Sequence, residues 1–454
     1  MPRYLLTNAL IVKGSSSFMG SLAIEGERIA GIWPGEGAEF PDAEVIDLGG
    51  RILMAGMIDS HVHFREPGMT WKADIASESA AALEGGVTSF IDMPNTAPPT
   101  VTAEALADKL GIASMTSKAN FGFHLGATND NIFRIKEYLD EGLGERFGGI
   151  KVFMGSSTGN MLVDRDESLE EVFSIKGKPI LVHSEDESMI KAGLNSARQT
   201  YGDSIPFSCH PSIRSREACI RSTERALEKA VRLGTSLHIL HVSTAEEVEM
   251  IRKAKLSNPH ITAETSANYL WFCDEDYPRL KGKVKCNPAV KSAADRDALR
   301  TAFADGTIDT IGSDRAPHLK DEKDRPYIQC PSGLPSVREQ LPVLFTVAKD
   351  FGIPFERIAS ACSEKVAAVF GIEDRGRLEQ GCFADLVVID PEKGSTVRGD
   401  SYKCGWSPYE GTALKGKVEM VWLNGCPVVN NSILNIATSQ SRPRQLRFLP
   451  TAEQ

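Results

Sequence analysis

The chain has 454 residues, with 61 Asp and Glu against 51 Lys and Arg and a formal net charge of -10, a size that asks for one large barrel or two domains around a sizeable core. The acidic balance and the lack of a long basic stripe exclude nucleic acid and anionic membrane surfaces as expected partners, while a small anionic substrate still answers to the local field of a cleft. The opening Met-Pro-Arg-Tyr-Leu-Leu-Thr-Asn lacks the apolar core of a signal peptide and no apolar run is long enough to span a membrane, so a cytoplasmic protein with no membrane partner is expected.

In chain order, residues 1–50 alternate apolar and polar positions between turn signals, with strands expected over 4–12 and 21–29 as part of a small antiparallel β domain. From there to about residue 313, short apolar runs alternate with helical patterns. Strands are expected at 52–58, 87–93, 119–125, 148–154, 179–184, 236–242, 260–265 and 308–313. Helices at 74–84, 103–115, 214–233, 244–255 and 294–304 fall between them, and two more follow at 336–350 and 355–370. Eight such units predict an α/β fold, a TIM-like (β/α)8 barrel over 51–380 with strand C-termini at one mouth. Strand texture returns at 384–390 and 417–425, so 381–437 is expected to complete the small β domain, leaving 438–454 as a loosely held tail. Nine cysteines, an odd number without any Cys-x-x-Cys pair, read as reduced thiols.

The strongest local signal is Asp59-Ser-His61-Val-His63-Phe-Arg65-Glu-Pro-Gly68, directly after the first barrel strand. Residues two apart on extended backbone share a face, so His61 and His63 can offer two imidazoles to one cation. Alone, such a pair is as readily structural. Yet His183, His241 and Asp314 also close expected strands, and Lys151 interrupts an apolar one, so ligands from five strands converge on the same mouth. His238 points off the face of His241 and is assigned to the core, and His124, His210 and His260 receive no role. Burial lowers a lysine pKa and makes the neutral amine accessible, which can capture carbon dioxide as a bridging carbamate. The alternative for Lys151 is a carboxylate partner or an outlet to solvent.

These residues resemble the metal-site pattern of the amidohydrolase superfamily over nearly the whole chain. Within it, His-Val-His-Phe-Arg-Glu-Pro-Gly, Met93-Pro-Asn95-Thr and Ala316-Pro-His318 are similar to the dihydroorotase branch of cyclic-amide hydrolases. The resemblance implies a barrel with a small β-sandwich and reversible cyclisation of N-carbamoyl-L-aspartate to L-dihydroorotate in pyrimidine biosynthesis. It also implies two divalent metal ions, zinc being expected although imidazole and carboxylate suit manganese or cobalt too. His61, His63 and Asp314 would hold one metal, His183 and His241 the other, with carbamylated Lys151 and a hydroxide between them. Asp314 would also move the proton as general base. Arg65 would take a substrate carboxylate in its planar fork, with Asn95, Asn287 and His318 as companions, unless it pairs with Glu66. A homodimer is the family expectation.

Two departures from many relatives bear on the mouth. Arg315 stands where an Asp-His-Ala-Pro-His run is common, and Asn268-Tyr269 replaces a His-His pair. A hydantoinase or allantoinase is the rival activity, and a non-catalytic scaffold of the same fold the rival class.

Overall fold

The structure is a computed structural model and describes residues 2–155, 161–399, 402–435 and 441–450. Its strands are β1 (Arg3–Val12), β2 (Ser17–Glu25), β3 (Arg28–Pro34), β4 (Glu44–Asp47), β5 (Ile52–Ala55), β6 (Met57–Val62), β7 (Val87–Asp92), β8 (Asn120–Phe123) and β9 (Leu125–Gly126). They continue with β10 (Ile150–Phe153), β11 (Ile180–His183), β12 (Leu237–Ile239), β13 (Ile261–Thr265), β14 (Thr310–Ile311), β15 (Leu386–Thr396), β16 (Ala413–Leu423), β17 (Cys426–Asn430) and β18 (Ile433–Leu434). Among the described residues they form three sheets.

The parallel sheets β6-β7-β8 and β14-β13-β12-β11-β10-β9 carry the alternating β/α portion. A nine-stranded sheet, ordered β18-β17-β16-β15-β5-β1-β2-β3 with β4 on β1, joins strands from both ends of the sequence. It is mixed, not purely antiparallel: β1 pairs antiparallel with β2 but parallel with β4 and β5.

The expected strand 52–58 is two strands. Gly56 separates β5, in the nine-stranded sheet, from β6, in a parallel one, and a Cβ there would collide with the Thr88 side chain. The expected strand 21–29 also divides, because the chain turns at Gly26 with φ 61° between β2 and β3. Helices Ile75–Glu84, Ala103–Thr116, Arg216–Leu233, Ala245–Ser257 and Ala293–Asp305 stand where the periodicity places them. Their starts are fixed by side-chain caps from Asp74, Thr102, Ser215, Thr244 and Ser292. Three further helices, Ile132–Asp140, Asp166–Phe173 and Glu187–Tyr201, have no counterpart in the sequence reading. The expected helix 355–370 is interrupted by a π turn, Ser360–Glu364.

The loosely held tail needs correction over residues 441–450. Leu446 N donates to the Phe121 carbonyl at 2.8 Å and Phe121 N to that of Arg444 at 3.0 Å, while Leu446 and Phe448 are buried. Two apolar residues at alternate positions give this segment a face to bury beside β8. Residues 436–440 and 451–454 lie outside the described residues. No described helix is long and apolar enough to cross a membrane.

Candidate metal centre and active site

The parallel strands and the loops beyond them bring His61, His63, Lys151, His183, His241, Asn287 and Asp314 around one cavity of about 20 Å³. Phe153, Ala316, Ser332 and Gly333 complete the lining; of these only Ala316 belongs to a motif singled out in the sequence. Arg65, His241 and Asp314 hold positive φ values of 66°, 38° and 47°, a conformation that non-glycine residues keep only where the surroundings enforce it.

His61, His63 and Asp314 form the tightest group, with ligand atoms within 4.8 Å of one another. Asp314 Oδ1 lies 3.3 Å from His61 Nε2 and 3.1 Å from His63 Nε2. Each imidazole is turned by a partner behind it. His61 Nδ1 meets Glu264 Oε1 at 2.7 Å and His63 Nδ1 meets Asn95 Oδ1 at 2.7 Å. Both partner oxygens accept, so the Nδ1 atoms carry the protons and the Nε2 lone pairs face the cavity. Asn95, expected at the substrate, therefore has its oxygen committed to His63.

On the opposite side His183 Nε2 meets Glu185 Oε2 at 2.8 Å, and Glu185 is in turn held by the Arg214 guanidinium. His183 Nδ1 faces His241 Nε2 at 2.9 Å, and the buried His241 Nδ1 has no hydrogen-bond partner among the described residues. Burial holds His63, His183 and His241 below the ordinary histidine pKa, keeping neutral imidazoles able to donate lone pairs. Burial alone would raise the Asp314 carboxyl, but His61, His63 and Lys151 outweigh it and set it below the usual value. Glu264 and Glu185 follow the same pattern, burial being overcome by His61 and by Arg214 respectively. These two acids and Asp59 were missed in the sequence. Asp59 Oδ1 accepts from His61 N and Ser313 N, both at 3.1 Å, while burial pushes its carboxyl up to about 7.

Lys151 is 1 % exposed, and its amine lies 4.6 Å from the centre of the Phe153 ring. Burial pulls its pKa down to about 7 against the attraction of Asp314 and Glu264, so the neutral amine needed for carbamylation is accessible. Neutral histidines and a low-pKa carboxylate gathered around one cavity fit divalent cations.

Arg65 is 2 % exposed and sits against the Pro317–His318 segment. Its Nε donates to the Pro317 carbonyl at 3.1 Å and Nη2 lies 3.1 Å from His318 Nε2. Burial lowers its pKa to about 10, with Asp92 and Asp314 acting against the shift. No carboxylate among the described residues pairs with it; Glu66 instead accepts from Ile75 N at 2.9 Å. His318 Nδ1 accepts from Lys72 Nζ at 2.9 Å and Nε2 donates to the Ser332 carbonyl at 3.0 Å. Asn287 Oδ1 is buried without a partner at the cavity.

Three of the histidines kept out of the site are hydrogen-bonded in the core, His124 to the Ser60 carbonyl, His210 to Tyr327 and the Cys286 carbonyl, and His238 to Thr262, while His260 is half-buried away from the cavity. Arg315 does not reach the mouth. Its guanidinium turns away to the buried Glu78. Asn268 ties loops together through the Ser313 carbonyl, Ser336 and Tyr409.

A profile of the Amidohydrolase family matches residues 52–428, and the chain belongs to that family. It is 34% identical over 443 residues to a dihydroorotase of Methanosarcina acetivorans, covering 93% of this chain and 92% of that one. It is 29% identical over 430 residues to an allantoinase of Streptomyces avermitilis, covering 93% and 94%. The solved L-hydantoinase (dihydropyrimidinase) of Arthrobacter aurescens superposes with a TM-score of 0.92 at 25% identity, over 98% of this chain and 100% of that one. The resemblance to dihydroorotases read from the sequence thus stands on whole-length relatives.

Proposed function

We propose that the chain is a metal-dependent dihydroorotase interconverting N-carbamoyl-L-aspartate and L-dihydroorotate. The observation that carries this reading over its rivals is Arg65, a buried guanidinium with no carboxylate partner among the described residues, set beside His318. A buried cation of this kind suits a carboxylate on the ligand. Dihydroorotate carries one; hydantoin and allantoin do not.

His61, His63 and Asp314 would hold one divalent ion and His183 and His241 a second, with carbamylated Lys151 between them. Such ions acidify a water at neutral pH and polarise the ring carbonyl. Glu264, Asn95 and Glu185 orient the imidazoles, so that each presents a fixed lone pair. Asp314, kept deprotonated, takes the proton of the attacking water and delivers it to the leaving ring nitrogen. In the cyclising direction it removes that proton from the carbamoyl nitrogen. Arg65 binds the substrate carboxylate, and Asn287, whose Oδ1 is unpartnered at the cavity, contacts the ring.

We read the two parallel sheets as arcs of one closed (β/α)8 barrel within 51–380, and the nine-stranded sheet as its small β-sandwich companion. In support, only His124 separates β8 from β9, and Val62 at the end of β6 bridges Arg315 just beyond β14.

Purified protein should turn over dihydroorotate faster than hydantoin, dihydrouracil or allantoin. Arg65→Ala should lower kcat/KM for dihydroorotate by about 10- to 100-fold, the worth of a buried charged hydrogen bond. Faster turnover of hydantoin or allantoin would overturn the dihydroorotase assignment and leave the hydrolase class standing.

A further inference from the structure

Asp314 holds its left-handed backbone in the middle of the site, and the residue after it is held through both its backbone and its side chain. The Arg315 carbonyl accepts from His63 N at 2.7 Å, and isolated bridges join Arg315 to Val62 and to Leu334. Its side chain, fully buried, runs outward to helix Ile75–Glu84, where Nε donates to Glu78 Oε2 and Nη2 lies against the same oxygen. The guanidinium also stacks 4.0 Å over the Tyr402 ring. Tyr402 is fixed in turn, its hydroxyl donating to Glu339 and accepting from Arg338 N at 2.8 Å.

A buried ion pair is weak support for stability, since apolar residues of similar volume often serve as well. What distinguishes this one is its place, one residue from Asp314 and one hydrogen bond from the backbone of His63. We propose that Arg315, Glu78 and Tyr402 form an anchor that positions Asp314 over His61 and His63. Arg315 is then a positioning residue for the reaction and contributes no atom to it. The inference rests on the reading of Asp314 as the proton carrier.

The test removes the charges without leaving one of them unpaired. A stability role alone predicts that Arg315→Met combined with Glu78→Leu restores both melting temperature and activity. The anchor predicts a near-native melting temperature, KM within about threefold of wild type and kcat lower by about 10²-fold, as for a small misplacement of a reacting group. Crystals of the metal-free double variant should show Asp314 Oδ1 out of reach of at least one of the two imidazole Nε2 atoms. Glu78→Gln, which keeps the volume, should give the same displacement with a kcat loss of about tenfold, and decides the matter if the double variant does not fold. Full kcat in the double variant, or an Asp314 that has not moved, overturns the proposal. If the wild type hydrolyses no cyclic amide, the function fails separately, because the position of Asp314 in the variants is read without activity.

Discussion

Two consecutive strands, parted only by Gly56, are built on opposite terms. β5 buries four apolar side chains, Ile52, Leu53, Met54 and Ala55, against the similarly apolar faces of β1 and β15. β6 buries Asp59, Ser60 and His61 as deeply, each with a polar partner. Burying polar groups costs stability unless each finds a partner, so a strand that buries three of them in sequence, each partnered, marks where the fold serves chemistry. β5 and its neighbours serve packing, and the ends of the parallel strands carry the polar groups of the site.

The widest separation between the two regions should come from Lys151→Ala. Activity should fall at least about 10²-fold, with loss of metal measured by elemental analysis and partial recovery on adding a small carboxylic acid as a substitute bridge. Retention of full activity and metal content would remove Lys151 from the centre. In the other region, Leu22→Ala on β2 should cost about 2–5 kcal/mol of stability by denaturant titration while kcat/KM stays within about twofold. A comparable loss of kcat/KM there would break the division of labour.

The smallest expected effect lies at Lys178, whose Nζ donates to the Phe448 carbonyl at 3.2 Å between the rings of Phe147 and Phe448. Burial lowers its pKa to about 7 from an ordinary 10.5. Between those values the unfolded chain binds the extra proton, so this group's contribution to stability rises with pH across the window. Lys178→Met should flatten that part of the stability profile, a change of a few kcal/mol at most. An unchanged slope from pH 7 to 10 would show that Lys178 titrates normally.

Much of the site was legible because strand periodicity assigns a face and an end to each residue. His61 and His63 from one strand, and His183, His241 and Asp314 from three others, are all drawn to one cavity. Glu264, Glu185 and Asp59 were missed although they carry the same signal that picked out Lys151, a charge inside or at the end of an apolar run. Their roles depend on which strand lies beside which, and that is tertiary information. Asn95 was placed at the substrate by the family resemblance, and nothing local shows that its oxygen meets His63. The segment 441–450 looked polar because Leu446 and Phe448 sit among charges, and only the neighbouring β8 makes their spacing meaningful.

The pairing of β5 with β15 has a consequence for synthesis on the ribosome. β5 emerges early with both edges free; β1 covers one at once, but the other waits until nearly the whole barrel has been made. During that interval a short, fully apolar strand presents an open edge, the kind of surface that invites pairing with another nascent chain. The strand that seams the finished molecule thus keeps an open edge while the chain is being made, and sequence changes that slow the barrel's completion are expected to lower the yield of soluble protein.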